Sequence, residues 1–167
     1  MKENKTSFKD KWNEPLDKAE FKSILIKSII CMFLTAIVAG FLNYLFLYYN
    51  STVLGAILII PVFIGPIINR AIEKVHYKYY LIGFLLTLFG IFLANALAFI
   101  LFNCLALNAN LGQVFASANF YKFIFIYPII LFFHLSSVSS LVWAILELIL
   151  YVICLFGVLY LIQFRKK

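Results

Sequence analysis

The chain has 167 residues, a formal net charge of +7, and a composition that is 65% hydrophobic, 19% aromatic and only 13% charged. A mean hydropathy of +1.01 excludes an ordinary soluble domain, in which about a quarter of the residues are charged. The basic excess does not point to nucleic acid, because the Lys and Arg residues border long apolar stretches instead of decorating a folded soluble face.

Residues 1–27 alternate seven lysines with Glu3, Asp10, Glu14, Asp17 and Glu20. This basic leader is expected on the cytoplasmic side. It lacks the short apolar core and small-residue cleavage site of a removed signal peptide. Pro15, with Asn13 or Glu14 as cap, could start a short interfacial helix in which Leu16, Ala19, Phe21, Ile24 and Leu25 form the apolar side.

No Asp, Glu, Lys, Arg or His occurs between Lys27 and Arg70, or between Lys78 and Lys122. About 20 apolar residues cross the roughly 30 Å of bilayer hydrocarbon. The expected fold is therefore an all-α integral membrane bundle of four transmembrane helices, with spans at 28–49, 53–69, 79–107 and 137–164. Span one ends in the aromatic belt Tyr44, Tyr48, Tyr49, and the short Asn50–Thr52 turn sets span two antiparallel beside it. Span two carries Pro61, Gly65 and Pro66, from which a kink or local unwinding is expected. The loop after it holds Arg70, Glu73, Lys74, His76 and Lys78, and its histidine reads as solvated.

Asn108 to Asn119 reads as a polar, uncharged loop. Residues 120–135 are too short and too polar for a crossing, holding Lys122, Pro128 and His134, and are expected as a re-entrant or interfacial half-helix on the outer side. With four crossings, the leader, the Arg70–Lys78 loop and the basic end 165–167 all face the cytoplasm, and Lys122 alone lies outside. The lipid is taken as a cell membrane; residue choice rich in Phe, Ile, Tyr, Lys and Asn suits a bacterial inner membrane.

Glu147 is the only acid within any span, and intramembrane carboxylates read by default as functional. Ser140, Ala144, Glu147, Tyr151 and Cys154 recur at helical steps on one face of the last span. Counting 1.5 Å per residue places Asn43, Asn95 and Glu147 at similar depth, so these three are the expected solute- or ion-binding cluster. Ala36 and Gly40 on span one, and Gly83, Thr87, Gly90, Ala94 and Ala98 on span three, make small-x-x-x-small faces for helix packing.

Cys31, Cys104 and Cys154 lie in apolar segments without C-x-x-C spacing, so neither a disulfide framework nor a metal site is expected. His134 and its neighbouring serines lack a nucleophile elbow and an orienting acid. No cofactor and no enzymatic activity are expected. The functional expectation is a non-enzymatic partner or assembly subunit of a membrane complex, joined to another membrane protein or to a second copy; the alternative is a small-solute or ion transporter or channel subunit using Glu147.

Overall fold

The computed structural model describes residues 17–49, 56–71, 76–126 and 138–163. Every regular element among them is helical. The helices are α1 (Lys18–Tyr48), α2 (Ile59–Ala71, entered through a 3₁₀ turn, Ala56–Leu58), α3 (Tyr77–Leu101, running into a π-helical turn, Phe102–Ala106), α4 (Leu111–Ala116), α5 (Ala118–Tyr121, running into a second π-helical turn, Lys122–Ile126) and α6 (Val138–Gln163).

α1 starts ten residues before the expected span and continues without a break from the basic leader into the apolar stretch. Its cap is Asp17, whose carboxylate accepts a 2.8 Å bond from the Ala19 amide, with Glu20 in the first turn where the helix dipole favours negative charge. The expected start around Pro15 lies outside the described residues. At 1.5 Å per residue the 31 residues of α1 extend about 46 Å, well beyond the hydrocarbon layer.

Among the described residues, three helices are long and apolar enough to cross a membrane: Lys18–Tyr48, Tyr77–Ala106 and Ile145–Ile162. Ala56–Ala71 is apolar but shorter, about 26 Å from its 3₁₀ and α-helical rises. α2 remains helical from Ile59 to Ala71. Pro61 falls in its first turn, where the missing N–H would have no intrahelical acceptor, and Pro66 lies inside the helix.

The packing inverts the soluble pattern. On α1 the buried stripe is Ile24, Ser28, Cys31, Met32, Thr35, Ala36, Ala39 and Gly40, mostly small residues, whereas Ile30, Phe33, Leu34, Ile37, Val38 and Phe41 are about half exposed or more. Water would drive the large apolar groups inward, so a helix with mostly small residues inside and large ones outside suggests a lipid surround. α3 follows suit, burying Gly83, Thr87, Gly90, Ala94 and Ala98 while exposing Leu81, Leu85 and Phe89.

Helix directions follow from the pairs that touch. α1 and α3 run parallel, since Phe21 meets Tyr79, Met32 reaches Gly90 and Gly40 lies on Ala94. α2 runs opposite to α3. Its fully buried stripe Ile60, Ile64, Ile68 sends Ile60 to Gly90 and Ile68 to Gly83, large knobs into glycine holes. α6 also runs opposite to α3, with Ile162 at Gly83 and Tyr151 at Asn95. The Lys18 end of α1 and the Gln163 end of α6 therefore lie at the same end of the bundle.

At the other end, the segment expected as a polar loop folds instead into two short helices. Asn110 and Gln113 form a reciprocal capping box at α4, and Ser117 caps α5. Val114, Phe120 and Ile124 pack with Phe92, Ala96, Phe99, Ile100 and Cys104, forming a second core over the far end of α3. Of the expected half-helix 120–135, residues 127–135 lie outside the described residues.

Candidate functional site

The site is a polar seam between α3 and α6. The Asn95 Nδ2 amide donates to the Tyr151 hydroxyl at 2.7 Å, and both residues are buried. In hydrocarbon an unmet amide is expensive, so this bond fixes the register of the two helices. Glu147 stands one turn from Tyr151 on α6 and is half-buried. Asn95 thus meets the residue next to Glu147 on the same helical face.

Asn43 is half-buried on α1, three residues beyond Gly40. A Cβ on Gly40 would come within 2.8 Å of the Ala94 carbonyl and 3.0 Å of Leu97, so the two backbones are in near contact there. This close approach brings α1 up to the turn that carries Asn95. Among the described residues, the hydrogen bond closing the seam is that of Asn95 with Tyr151, with Glu147 one turn along α6.

The other small residues are explained by what touches them. A Cβ on Gly90 would stand 2.9 Å from Ile60 Cγ2 and 3.2 Å from Met32 Cγ, one on Gly83 2.6 Å from Ile162 Cδ1, and one on Gly65 2.5 Å from Leu161 Cβ. Gly65 therefore serves the α2–α6 contact. Ala94 is fully buried between its helical neighbours on α3. Gly157 differs, with nothing within 4 Å of its Cβ position.

Two structural contacts were not visible in the sequence. The first is the Asn69 Nδ2 bond to the Leu161 carbonyl at 2.9 Å, across 92 residues of chain. Nothing local marks Asn69, which sits at the end of an apolar run beside Arg70. The second is His76, which the sequence reading left in solvent. It is instead buried, 5% exposed, because its ring caps α3: Nδ1 accepts from the Lys78 amide at 3.1 Å and the ring stands edge-on to Tyr79. Tyr79 is itself buried against Phe21 of α1. Helix N-caps favour Ser, Thr, Asp and Asn, so a histidine in a basic loop carries no capping signal.

Three buried polar atoms have no partner among the described residues: Ser28 Oγ, Thr87 Oγ1 and His76 Nε2. Because Nδ1 accepts, the neutral ring carries its proton on Nε2. Thr35, by contrast, returns its hydroxyl to the Cys31 and Met32 carbonyls, the usual arrangement for a hydroxyl inside an apolar helix. Cys31 and Cys154 are buried free thiols and Cys104 is half-buried. Among the described residues, no three His, Cys, Asp or Glu side chains gather where one metal ion could be held.

Compared with known proteins, the chain matches no family model, no curated protein sequence and no solved structure. What it does must be argued from the bundle itself.

Proposed function

We propose that this chain is a non-enzymatic subunit of an assembly in a cell membrane, crossing it four times and presenting α6 to a partner. The observation that carries the reading is the seating of α6. It is anchored along one narrow stripe, Tyr151, Cys154, Val158 and Ile162, while Ile145, Leu148, Ile149, Val152, Ile153 and Phe156 are exposed. The same helix carries Glu147, the single acid in the membrane stretches. An ionised carboxylate at the helix centre costs on the order of 3 kcal/mol on insertion scales, an expense a partner's donor or cation offsets.

The four crossings are read from the alternating directions of α1, α2, α3 and α6, with α2 as a short crossing helix in a locally thinned bilayer. The orientation is read from charge. Lys18, Lys22, Lys27, Arg70 and Lys78 belong to one end of the bundle, and positively charged ends stay cytoplasmic. Residues 118–126 then lie on the outer side, as part of a half-helix.

Photo-crosslinking tests the assembly reading directly. A photoreactive residue replacing Ile149, Ile153 or Phe156 is expected to yield a discrete protein adduct in native membranes. Adducts with lipid alone at all three positions would refute it.

A second reading has its own support in the Asn95–Tyr151 bond, which continues the polar face of Glu147 toward α3. In that reading the chain moves a small solute or ion with Glu147 as the responsive group. Proton-coupled flux in vesicles, abolished by Glu147→Gln, is its expected signature; flux that survives the substitution refutes it.

A further inference from the structure

The geometry points to a two-fold dimer of this chain in which Glu147 of each copy pairs with Lys122 of the other. This rests on the assembly reading and names the partner. Phe99 provides the common level. Stepping four residues back along α6 from Tyr151, and four forward along α3 from its partner Asn95, sets Glu147 level with Phe99. The Phe99 ring in turn lies 5.9 Å from that of Phe120, two residues before Lys122, and 5.1 Å from that of Phe123, the residue after it. Glu147 and Lys122 therefore share one depth in the bundle, within about a helical turn.

Their surroundings differ in a complementary way. Lys122 is exposed, Glu147 is half-buried on the poorly covered part of α6, and among the described residues neither takes part in an ion pair or hydrogen bond. A carboxylate and an ammonium at one depth near the outer edge of the bilayer, neither paired among the described residues, attract once a protein contact excludes water from between them. A two-fold axis along the membrane normal keeps every residue at its own depth and makes each contact reciprocal, so it satisfies both charges of both copies at once. The exposed Ile145, Leu148 and Ile149 beside Glu147 supply the apolar remainder of the contact.

The experiment is a charge swap in trans. Full-length chains with a fluorescent protein after Lys167 are reconstituted at low density in phosphatidylcholine vesicles, and bleaching steps are counted. Wild type is expected to bleach in two steps. Glu147→Lys and Lys122→Glu are each expected to bleach in one step, with dimer affinity down by roughly thirtyfold or more. Mixing these two variants is expected to restore two-step spots, because each contact then joins opposite charges again.

An intramolecular pair would be rescued only by both substitutions in one chain. Glu147→Gln and Lys122→Gln serve if a reversed charge hinders insertion, and each is expected to bleach in one step. Single-step wild type, two-step single variants, or no rescue in trans would each overturn the dimer. If the dimer fails while α6 still crosslinks to another protein, the assembly reading stands without it.

Discussion

The side-chain amide of Asn69 ties α2 to the last described turn of α6 by donating to the Leu161 carbonyl at 2.9 Å. α6 is described to Gln163, so Leu161 lies in its last described turn. Gly65, one turn before Asn69, lets the two backbones come close enough for the bond to form. Replacing Asn69 with Leu is expected to destabilise the bundle by about 0.6 kcal/mol, and by no more than about 1.7 kcal/mol, the range for single hydrogen bonds in membranes. Reversible unfolding in bicelles by steric trapping measures it, and an unchanged stability would show that lipid-exposed water replaces the bond.

The Asn95–Tyr151 pair calls for a double-mutant cycle. Asn95→Leu and Tyr151→Phe each remove one partner, and the double variant removes the interaction altogether. The expected coupling energy is about 0.6 kcal/mol or more in the stabilising direction. Zero coupling would show that the two groups find equal partners elsewhere.

Glycine positions separate by what faces them. Gly90→Leu must displace Ile60 and Met32, and overpacking of this kind destabilises by about 1–3 kcal/mol. Gly157→Ala meets nothing within 4 Å and replaces a flexible residue inside a helix, so it is expected to stabilise by up to about 1 kcal/mol. The same unfolding assay reads both. Equal effects at the two positions would contradict the packing described for α3.

At the start of α3, His76→Leu removes the capping nitrogen while keeping an apolar side chain against Tyr79. A loss of about 1 kcal/mol is expected, whereas His76→Asn retains a cap acceptor and loses less. Hydrogen exchange at the Lys78 amide is the direct readout. It is expected to accelerate in the Leu variant and to change little in the Asn variant.

Lipid as solvent is legible in the sequence because it depends on composition over windows of twenty residues. The uncharged stretches after Lys27 and after Lys78 suffice to place long helices there. Small-residue spacing on α3 is equally local, since residues three and four apart share a face whatever packs on it. Capping at α4 was written in Asn110 and Gln113, three residues apart, although the segment reads at first as a polar loop.

The partners of these groups could not be read in the same way. Depth counting set Asn43, Asn95 and Glu147 at one height, but height along a helix says nothing of rotation about the bundle axis or of which neighbour stands opposite. The helix arrangement put Tyr151 against Asn95, Leu161 against Asn69 and Tyr79 against His76. Each of these pairs joins two elements that propensity and periodicity treat separately.

Composition and charge placement by themselves marked the long apolar helices that suggest a membrane, the helical class, and the gathering of basic residues beside the apolar stretches. Tertiary structure alone decided which polar groups meet, because a hydrogen bond tolerates only a few tenths of an ångström and is set by how glycine holes in one helix receive isoleucine knobs from another.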